Sequence, residues 1–229
     1  MPHFGKIFLT SLTFVVLCLS AAATAQAETV NFDFEDQNFT FPPFPRSGAL
    51  TTLVMSKSTL VVYLSRSGFA QFDIIDNSGP RAKGAEFGLR SLDPFFDTGP
   101  AFFIVGFSQP VESVSIDMGD FGVDTDSLTL EAFSLADATG ALMDIDLGSL
   151  PVLPGNAFGF STLSVAAPGI VSVRFNGSGI SPNSVFYDNL RVSFTSPQQP
   201  IPEPASMLLL GTGLAGLGAA VRKRRKKEK

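Results

Sequence analysis

Carboxylates carry most of the chemistry that is open to this chain. The only histidine, His3, and the only cysteine, Cys18, lie close to the N-terminus, and the chain contains no tryptophan. The rest of the chain therefore cannot form a disulfide, a thiolate zinc site, a Cys or His nucleophile system or a histidine general base. Two kinds of chemistry remain for its acidic residues, namely cation binding and catalysis by a pair of carboxyl groups.

One carboxylate has an unusual position in an alternating sequence. Asp188 shares its parity with the apolar residues around it, so a β-strand would turn its side chain toward the core. A buried carboxylate is costly unless it is paired or holds a cation. Near the start of the chain, Glu35 and Asp36 come directly after an apolar alternation that ends at Phe34. Acids thus stand at both ends of the central region where an apolar pattern is interrupted or stops.

A second acidic group falls between two predicted strands. It comprises Asp117, Asp120, Asp124 and Asp126. It lacks the spacing of an EF-hand loop, which needs a D-x-[DN]-x-[DN]-G core and a later Glu. We therefore interpret this group as part of a solvated loop in preference to a metal-binding one.

Paired carboxylates can also cleave glycosidic bonds. Nineteen acidic residues lie between Glu28 and Ile201, no pair stands out among them, and the Trp platforms usual in glycosidase clefts are missing. We therefore predict no enzyme activity and keep a carboxylate-based glycoside hydrolase as an alternative. Any sugar-stacking surface would have to use Phe residues or the only two tyrosines, Tyr63 and Tyr187.

The elements that must position these acids are strands. Alternation with a period of two recurs along the central region, and no 3.6-residue period is sustained there. Turn-forming segments separate the runs, and Asp137–Gly140 has the composition of a hairpin loop. The pattern favours an all-β fold, an antiparallel β-sandwich of jelly-roll type. The predicted strands include residues 30–34, 60–64, 70–75, 101–107, 111–118, 128–133, 142–147, 171–175 and 186–194.

Two short segments add to this interpretation. Phe34-Glu35-Asp36 near the start and Tyr187-Asp188-Asn189-Leu190 near the end resemble the first- and last-strand motifs of carbohydrate-binding jelly rolls. The resemblance implies that these strands lie close together and that Glu35, Asp36 and Asp188 hold a structural Ca²⁺. Oxygen-only ligands suit calcium. The alternative is that Asp188 caps backbone amides or faces solvent at the end of the sheet.

The N-terminus has the features of a cleavable secretory signal. Lys6 precedes the apolar run Ile7–Leu19, and small residues lead to Ala25-Gln26-Ala27, an A-x-A cleavage site. We expect residues 1–27 to be removed and residues 28–195 to form the β-sandwich domain. A proline-rich spacer, 196–201, would hold the following residues extended and away from the fold.

The C-terminus combines a short motif, an apolar segment and a basic tail. Pro202-Glu203-Pro204 is followed by 17 uncharged residues, Ala205–Val221, about 25 Å of helix and at the short end of what crosses a bilayer. A basic cluster next to a membrane segment stays cytoplasmic, so residues before Pro202 would lie on the outer side. The segment 222–229 supplies that cluster with Arg222, Lys223, Arg224, Arg225, Lys226 and Lys227.

This arrangement over residues 202–229 resembles the PEP-CTERM signal of Gram-negative bacteria. The resemblance implies an exosortase-type enzyme of the inner membrane as a partner, which would recognise Pro202, Glu203 and Pro204. The single transmembrane sorting helix would hold the precursor in the inner membrane until processing, and the basic tail would fix its orientation.

Charge completes the prediction of function. Residues Glu28 to Ile201 contain eight Lys and Arg and 19 acidic residues, a net charge of −11. Such a surface repels nucleic-acid phosphates and anionic lipid, so we expect no nucleic-acid partner. We predict an exported protein of the cell surface or the exopolysaccharide (biofilm) matrix with a structural or adhesive domain. A calcium-dependent glycan-binding module is the alternative.

Overall fold

Ten β-strands make up almost all of the regular structure in the described part of the chain. The computed structural model describes residues 26–37, 50–67, 71–76, 87–94, 102–122, 124–179, 184–196, 211–214 and 216. A short 3-10 turn at Pro154–Asn156 precedes the ninth strand. The strands are β1 (Gln26–Phe32), β2 (Thr52–Lys57), β3 (Leu60–Arg66), β4 (Asp73–Asp76), β5 (Arg90–Asp93), β6 (Phe103–Phe121), β7 (Asp126–Leu135), β8 (Thr139–Leu150), β9 (Phe158–Ser178) and β10 (Phe186–Ser196).

The strands form one curled sheet, and its main path runs in the order β4-β5-β10-β6-β9-β7-β8. Three strands lie off this path: β1 pairs with β10, β3 pairs with β6, and β2 pairs with β3. The long strands β6 and β9 join two groups of neighbours. β3 pairs antiparallel with Phe103–Phe107 of β6, whereas β10 pairs with Ser113–Gly119. The β6–β9 register shifts between these two stretches, where Pro110 cannot donate to a ladder. The predicted all-β antiparallel class is thereby confirmed, and the jelly-roll connectivity stays a prediction.

Aromatic side chains occupy the centre of the core. Phe103 of β6 stacks on Phe175 of β9 with ring centroids 5.5 Å apart, and Tyr187 of β10 contacts both rings at 5.1 and 5.0 Å. All three belong to one cluster of buried side chains to which each of the ten described strands contributes at least one residue. The compact unit Ala27–Ser196 contains this whole cluster, so it has the core of an independent folding unit.

The β7–β8 hairpin follows from its local sequence. Asp137 and Ala138 have φ values of 56° and 52° at the turn, and Gly140 has a φ of 80°. Positive φ at both central residues matches the right-handed twist of the flanking strands, as in a type I′ hairpin turn. The predicted hairpin loop at Asp137–Gly140 is confirmed.

β8 is the last strand at its end of the sheet, and two of its carboxylates contact β9. Asp144 Oδ2 accepts a hydrogen bond from the Ala166 amide, and Asp146 Oδ2 accepts one from the Ser164 amide, each at 2.8 Å. These amides of β9 lie beyond the segment that pairs with β7, which is Ser172–Ser178. The two carboxylates therefore cover an otherwise open stretch of strand edge.

Candidate functional site

The predicted sorting residues lie outside the described residues. This applies to Pro202, Glu203 and Pro204, and to the basic tail Arg222, Lys223, Arg224, Arg225, Lys226 and Lys227. Gly211–Leu214 and Gly216, inside the predicted membrane segment, are helical. Among the described residues, no helix has the length and apolar character needed to span a bilayer.

The carboxylate of Glu35, a residue of the predicted calcium site, accepts hydrogen bonds from backbone amides. Its Oε1 accepts hydrogen bonds from the amides of Leu89 and Arg90 at 2.7 and 3.0 Å. The Arg90 guanidinium donates back to the Glu35 carbonyl oxygen at 2.6 Å. Gly88 passes so close that a Cβ there would lie 2.2 Å from Oε1. Glu35 thus ties the end of β1 to the start of β5.

Asp36 and Asp188 differ sharply in environment. The Asp36 side chain is 80% exposed, with Lys57 Nζ 3.9 Å from its Oδ2. Asp188 is 1% exposed, as its strand parity predicts, and its Oδ1 accepts the Asn189 amide at 2.6 Å. Burial raises the pKa of Asp188 to about 8, and the negative charges of Glu35 and Asp33 add to the shift. The described structure does not bring Glu35, Asp36 and Asp188 into one carboxylate cluster, and calcium binding by them stays a prediction.

The acidic group that we interpreted as a solvated loop is buried, so that interpretation is wrong. Asp120, Asp124 and Asp126 each place a carboxylate oxygen within 4.8 Å of the others. The reason is that β6 does not end at Met118: Gly119 and Asp120 still pair with β9. The chain then turns and starts β7 at Asp126, which brings the three acids together below the surface.

The electrostatics of this acidic cluster (Asp120, Asp124 and Asp126) are unfavourable to three full negative charges. Burial, followed by the charges of Asp120 and Asp124, raises the pKa of Asp126 to about 7. Burial also raises the pKa of Asp120, although the backbone amide of Phe121 and the Ser184 hydroxyl, which donates to its Oδ2 at 3.1 Å, oppose the shift. The cluster therefore needs a proton or a cation to offset its charge.

Asp117, the fourth member of the sequence group, is neutralised by a pair. Its two oxygens accept hydrogen bonds from Arg191 Nη1 and Nη2 at 3.1 and 2.9 Å, and Thr162 Oγ1 donates to Oδ1 at 2.6 Å. This fork geometry satisfies a buried carboxylate completely. Asp117 and Arg191 accordingly form a structural ion pair between β6 and β10.

The two tyrosines have opposite surroundings. Tyr187 is buried, and its hydroxyl oxygen accepts the Gly177 amide at 2.7 Å. Tyr63 on β3 is 49% exposed. Its cross-strand partner Val54 lines an open depression of about 250 Å³ that also includes Asp33 and Lys57. Tyr63 is thus the tyrosine that could stack on a ligand beside polar side chains.

These features define an all-β domain with buried carboxylates, followed by a C-terminal sorting segment. Residues 200–225 match the family model described as PEP-CTERM protein-sorting motif. The motif indicates an exported protein that is sorted to the cell surface. A comparison with curated protein sequences found no match.

Solved structures with local similarity to the chain include glycan-related proteins. The enzymatically active domain of tailspike protein 4 from bacteriophage CBA120 has 17% identity, with 59% of this chain and 19% of that chain covered, at a TM-score of 0.35. The CBM22-1 and GH10 modules of a Clostridium thermocellum xylanase, complexed with xylohexaose, have 8% identity over 61% of this chain and 27% of that chain, at 0.31. A family 11 carbohydrate-binding module from Clostridium thermocellum has 13% identity over 77% of this chain and 100% of its own, at 0.29. At these TM-scores the similarities carry no argument about fold or ligand.

Sequence reasoning missed the acidic cluster for a definable reason. The spacing of Asp120, Asp124 and Asp126 matches no metal-loop motif, and a strand that ended at Met118 would leave all three in solvent. A usable signal was the alternation itself, because Asp126 shares its parity with Leu128 and Leu130, which are buried in β7.

Proposed function

We propose that this chain is an exported protein of the cell surface or the exopolysaccharide matrix, with a structural or adhesive β-domain. The observation that carries the proposal is the PEP-CTERM protein-sorting motif at residues 200–225. An exosortase-type membrane enzyme would recognise Pro202, Glu203 and Pro204 and process the precursor. The acidic domain, at −11 from Glu28 to Ile201, would stay soluble near the surface without binding nucleic acid or anionic lipid.

Deletion of residues 202–229 tests the sorting role. Without the motif, membrane segment and basic tail, the β-domain should appear in the periplasm or medium and leave the envelope fraction. Cell fractionation with immunoblotting measures the distribution, and mass spectrometry of the C-terminus detects processing in the intact chain. Unchanged retention in the envelope would contradict the proposal.

A matched pair of variants separates recognition from anchoring. Replacement of Pro202, Glu203 and Pro204 by Ala leaves the apolar segment and basic tail in place, so we expect an unprocessed precursor that stays in the inner membrane. Neutralising Arg222 to Lys227 with Gln should instead disturb orientation, because the positive cluster holds its end in the cytoplasm. Protease accessibility of the β-domain in spheroplasts measures the second effect.

Glycan binding is the second candidate function, and Tyr63 favours it. Aromatic rings with a polar rim are typical of surfaces that bind neutral ligands. Tyr63 is half exposed, and the adjacent depression carries Asp33, Asp36 and Lys57, which can accept and donate hydrogen bonds. The nonpolar neighbour Val54 extends the apolar contact.

A glycan array followed by affinity electrophoresis tests this second candidate. Reproducible binding to one polysaccharide that Tyr63→Ala weakens at least tenfold would support it. Leu147→Ala is the control, because Leu147 is also exposed but lies on β8. A blank array, or equal loss in both variants, would leave the structural role.

A further inference from the structure

Asp126 is a buried carboxylate that receives no hydrogen bond from the part of the chain that the structure describes. Its side chain is 1% exposed, and among the described residues no donor forms a hydrogen bond with Oδ1 or Oδ2. A buried oxygen that receives no hydrogen bond loses its hydration without compensation. Asp117 shows the contrast, because Arg191 and Thr162 supply three donors to a carboxylate that is equally well buried.

Further oxygens lie beside this carboxylate. Asp120 and Asp124 have oxygens within 4.8 Å of Asp126. A Cβ built on Gly179 would lie 2.4 Å from Asp126 Oδ1, 2.7 Å from Asp124 Oδ2 and 3.0 Å from the carbonyl oxygen of Thr125. Carboxylate and backbone oxygens thus converge on one side of Gly179, at a point in the chain where any side chain would intrude.

We propose that Asp120, Asp124 and Asp126 bind one divalent cation of the calcium type, with the Thr125 carbonyl oxygen beside them and Gly179 leaving room for the ion. Oxygens that share one Ca²⁺ ion lie at most about 5 Å apart, twice the ligand distance. The donor set contains only oxygen, which selects a hard cation over zinc or copper. This site is separate from Glu35, Asp36 and Asp188, and it does not rest on the proposed sorting or glycan-binding functions.

A shared proton is the competing arrangement. The carboxyl groups of Asp120 and Asp126 are close enough for one proton to lie between them, which would reduce the repulsion without an ion. The two arrangements make different predictions. If a proton is shared, the stability of the protein should not change with calcium concentration. If the cluster binds a cation, stability should rise with calcium concentration.

Thermal melts and calorimetric titration with CaCl₂ decide between them. The protein is residues 27–196, the compact unit with its own core, stripped with chelator. At a calcium concentration about 100-fold above Kd, the midpoint of unfolding should rise by about 5–10 °C. Asp126→Asn should abolish this rise and lower the number of bound ions by one. It should not lower the midpoint of the metal-free protein, because it removes a repulsive charge.

Two further variants locate the ion. Asp188→Asn is the matched control, since Asp188 is equally buried but lies outside the acidic cluster, and it should keep the full calcium response. Gly179→Ala should weaken calcium binding at least tenfold because its methyl group would crowd Asp126 Oδ1, and it decides the question if Asp126→Asn fails to fold. No response to CaCl₂ in the parent protein, or a response lost only in Asp188→Asn, would overturn the proposal.

Discussion

Tyr187 combines core packing with the capping of a buried donor. Its ring packs against both Phe103 and Phe175, and its hydroxyl oxygen accepts the amide hydrogen of Gly177. Burial raises the pKa of Tyr187, so the phenol stays protonated at any ordinary pH. At the residue scale the side chain is therefore a neutral structural group and is not available for sugar stacking.

Tyr187→Phe should destabilise the domain by about 1–3 kcal/mol, the cost of leaving a buried amide donor unsatisfied. The ring packing is kept, so the fold and the urea m-value should not change. Urea unfolding monitored by circular dichroism measures the difference. Tyr63→Phe is the control, because Tyr63 is half exposed and should change stability by less than about 0.5 kcal/mol.

Asp188 should make stability depend on pH. Its folded-state pKa is raised from 3.8 to about 8, chiefly by burial. The unfolded chain releases this proton near pH 4, while the folded protein keeps it up to about pH 8. The contribution of Asp188 to the free energy of unfolding is therefore fully present below pH 4. It is lost progressively as the pH rises to about 8, by up to about 1.4 kcal/mol per pH unit.

Asp188→Asn should flatten this part of the pH profile. The amide oxygen of Asn can still accept the Asn189 backbone hydrogen, and the neighbouring acids Glu35, Asp33 and Asp117 remain as they are. Urea unfolding of both proteins in chelator at several pH values between 4 and 8 gives the slopes. Parallel slopes would show that Asp188 does not titrate in this window.

At the scale of elements, β8 protects the open edge of β9. The carboxylates of Asp144 and Asp146 accept hydrogen bonds from the amides of Ala166 and Ser164, respectively. Without these contacts, a further strand could pair with this stretch of β9. Changing both aspartates to Ala should speed hydrogen exchange of these two amides about tenfold. Amide exchange followed by mass spectrometry or NMR measures it. Ser149→Ala, an exposed change on β8, should leave both rates as they are.

The alternating pattern located most of the strands but not their full lengths. Predicted segments such as 111–118 and 171–175 lie inside β6 and β9, which run on to Phe121 and begin at Phe158. The missed start of β9 includes Gly159 and the run Ala166-Ala167-Pro168-Gly169, residue types that are depleted in strands. β2, β5 and the first half of β9 are strands because their neighbours pair with them, which a short sequence window does not reveal.

At the scale of the molecule, residues 27–196 should fold without either terminus. Their compact unit holds the whole described core, and a domain of this size buries enough surface to be stable alone. We expect one cooperative thermal transition. A shorter form, 34–196, lacks β1 with the buried Val30 and Phe32 and should melt at a clearly lower temperature or not fold. Equal midpoints for the two forms would contradict this account.

The sequence by itself determined whatever depends on neighbouring residues. The sorting motif, the all-β class, the β7–β8 hairpin and the inward direction of Asp188 all follow from short windows, because strand alternation and turn chemistry are local. Which carboxylates meet was decided only by the tertiary structure. Glu35 lies on amides of a segment more than 50 residues away. Gly179, directly after β9, approaches the carboxylates of Asp124 and Asp126 closely. Such contacts depend on the register of β6 with β9 and β10, and that register is set by packing of the whole core.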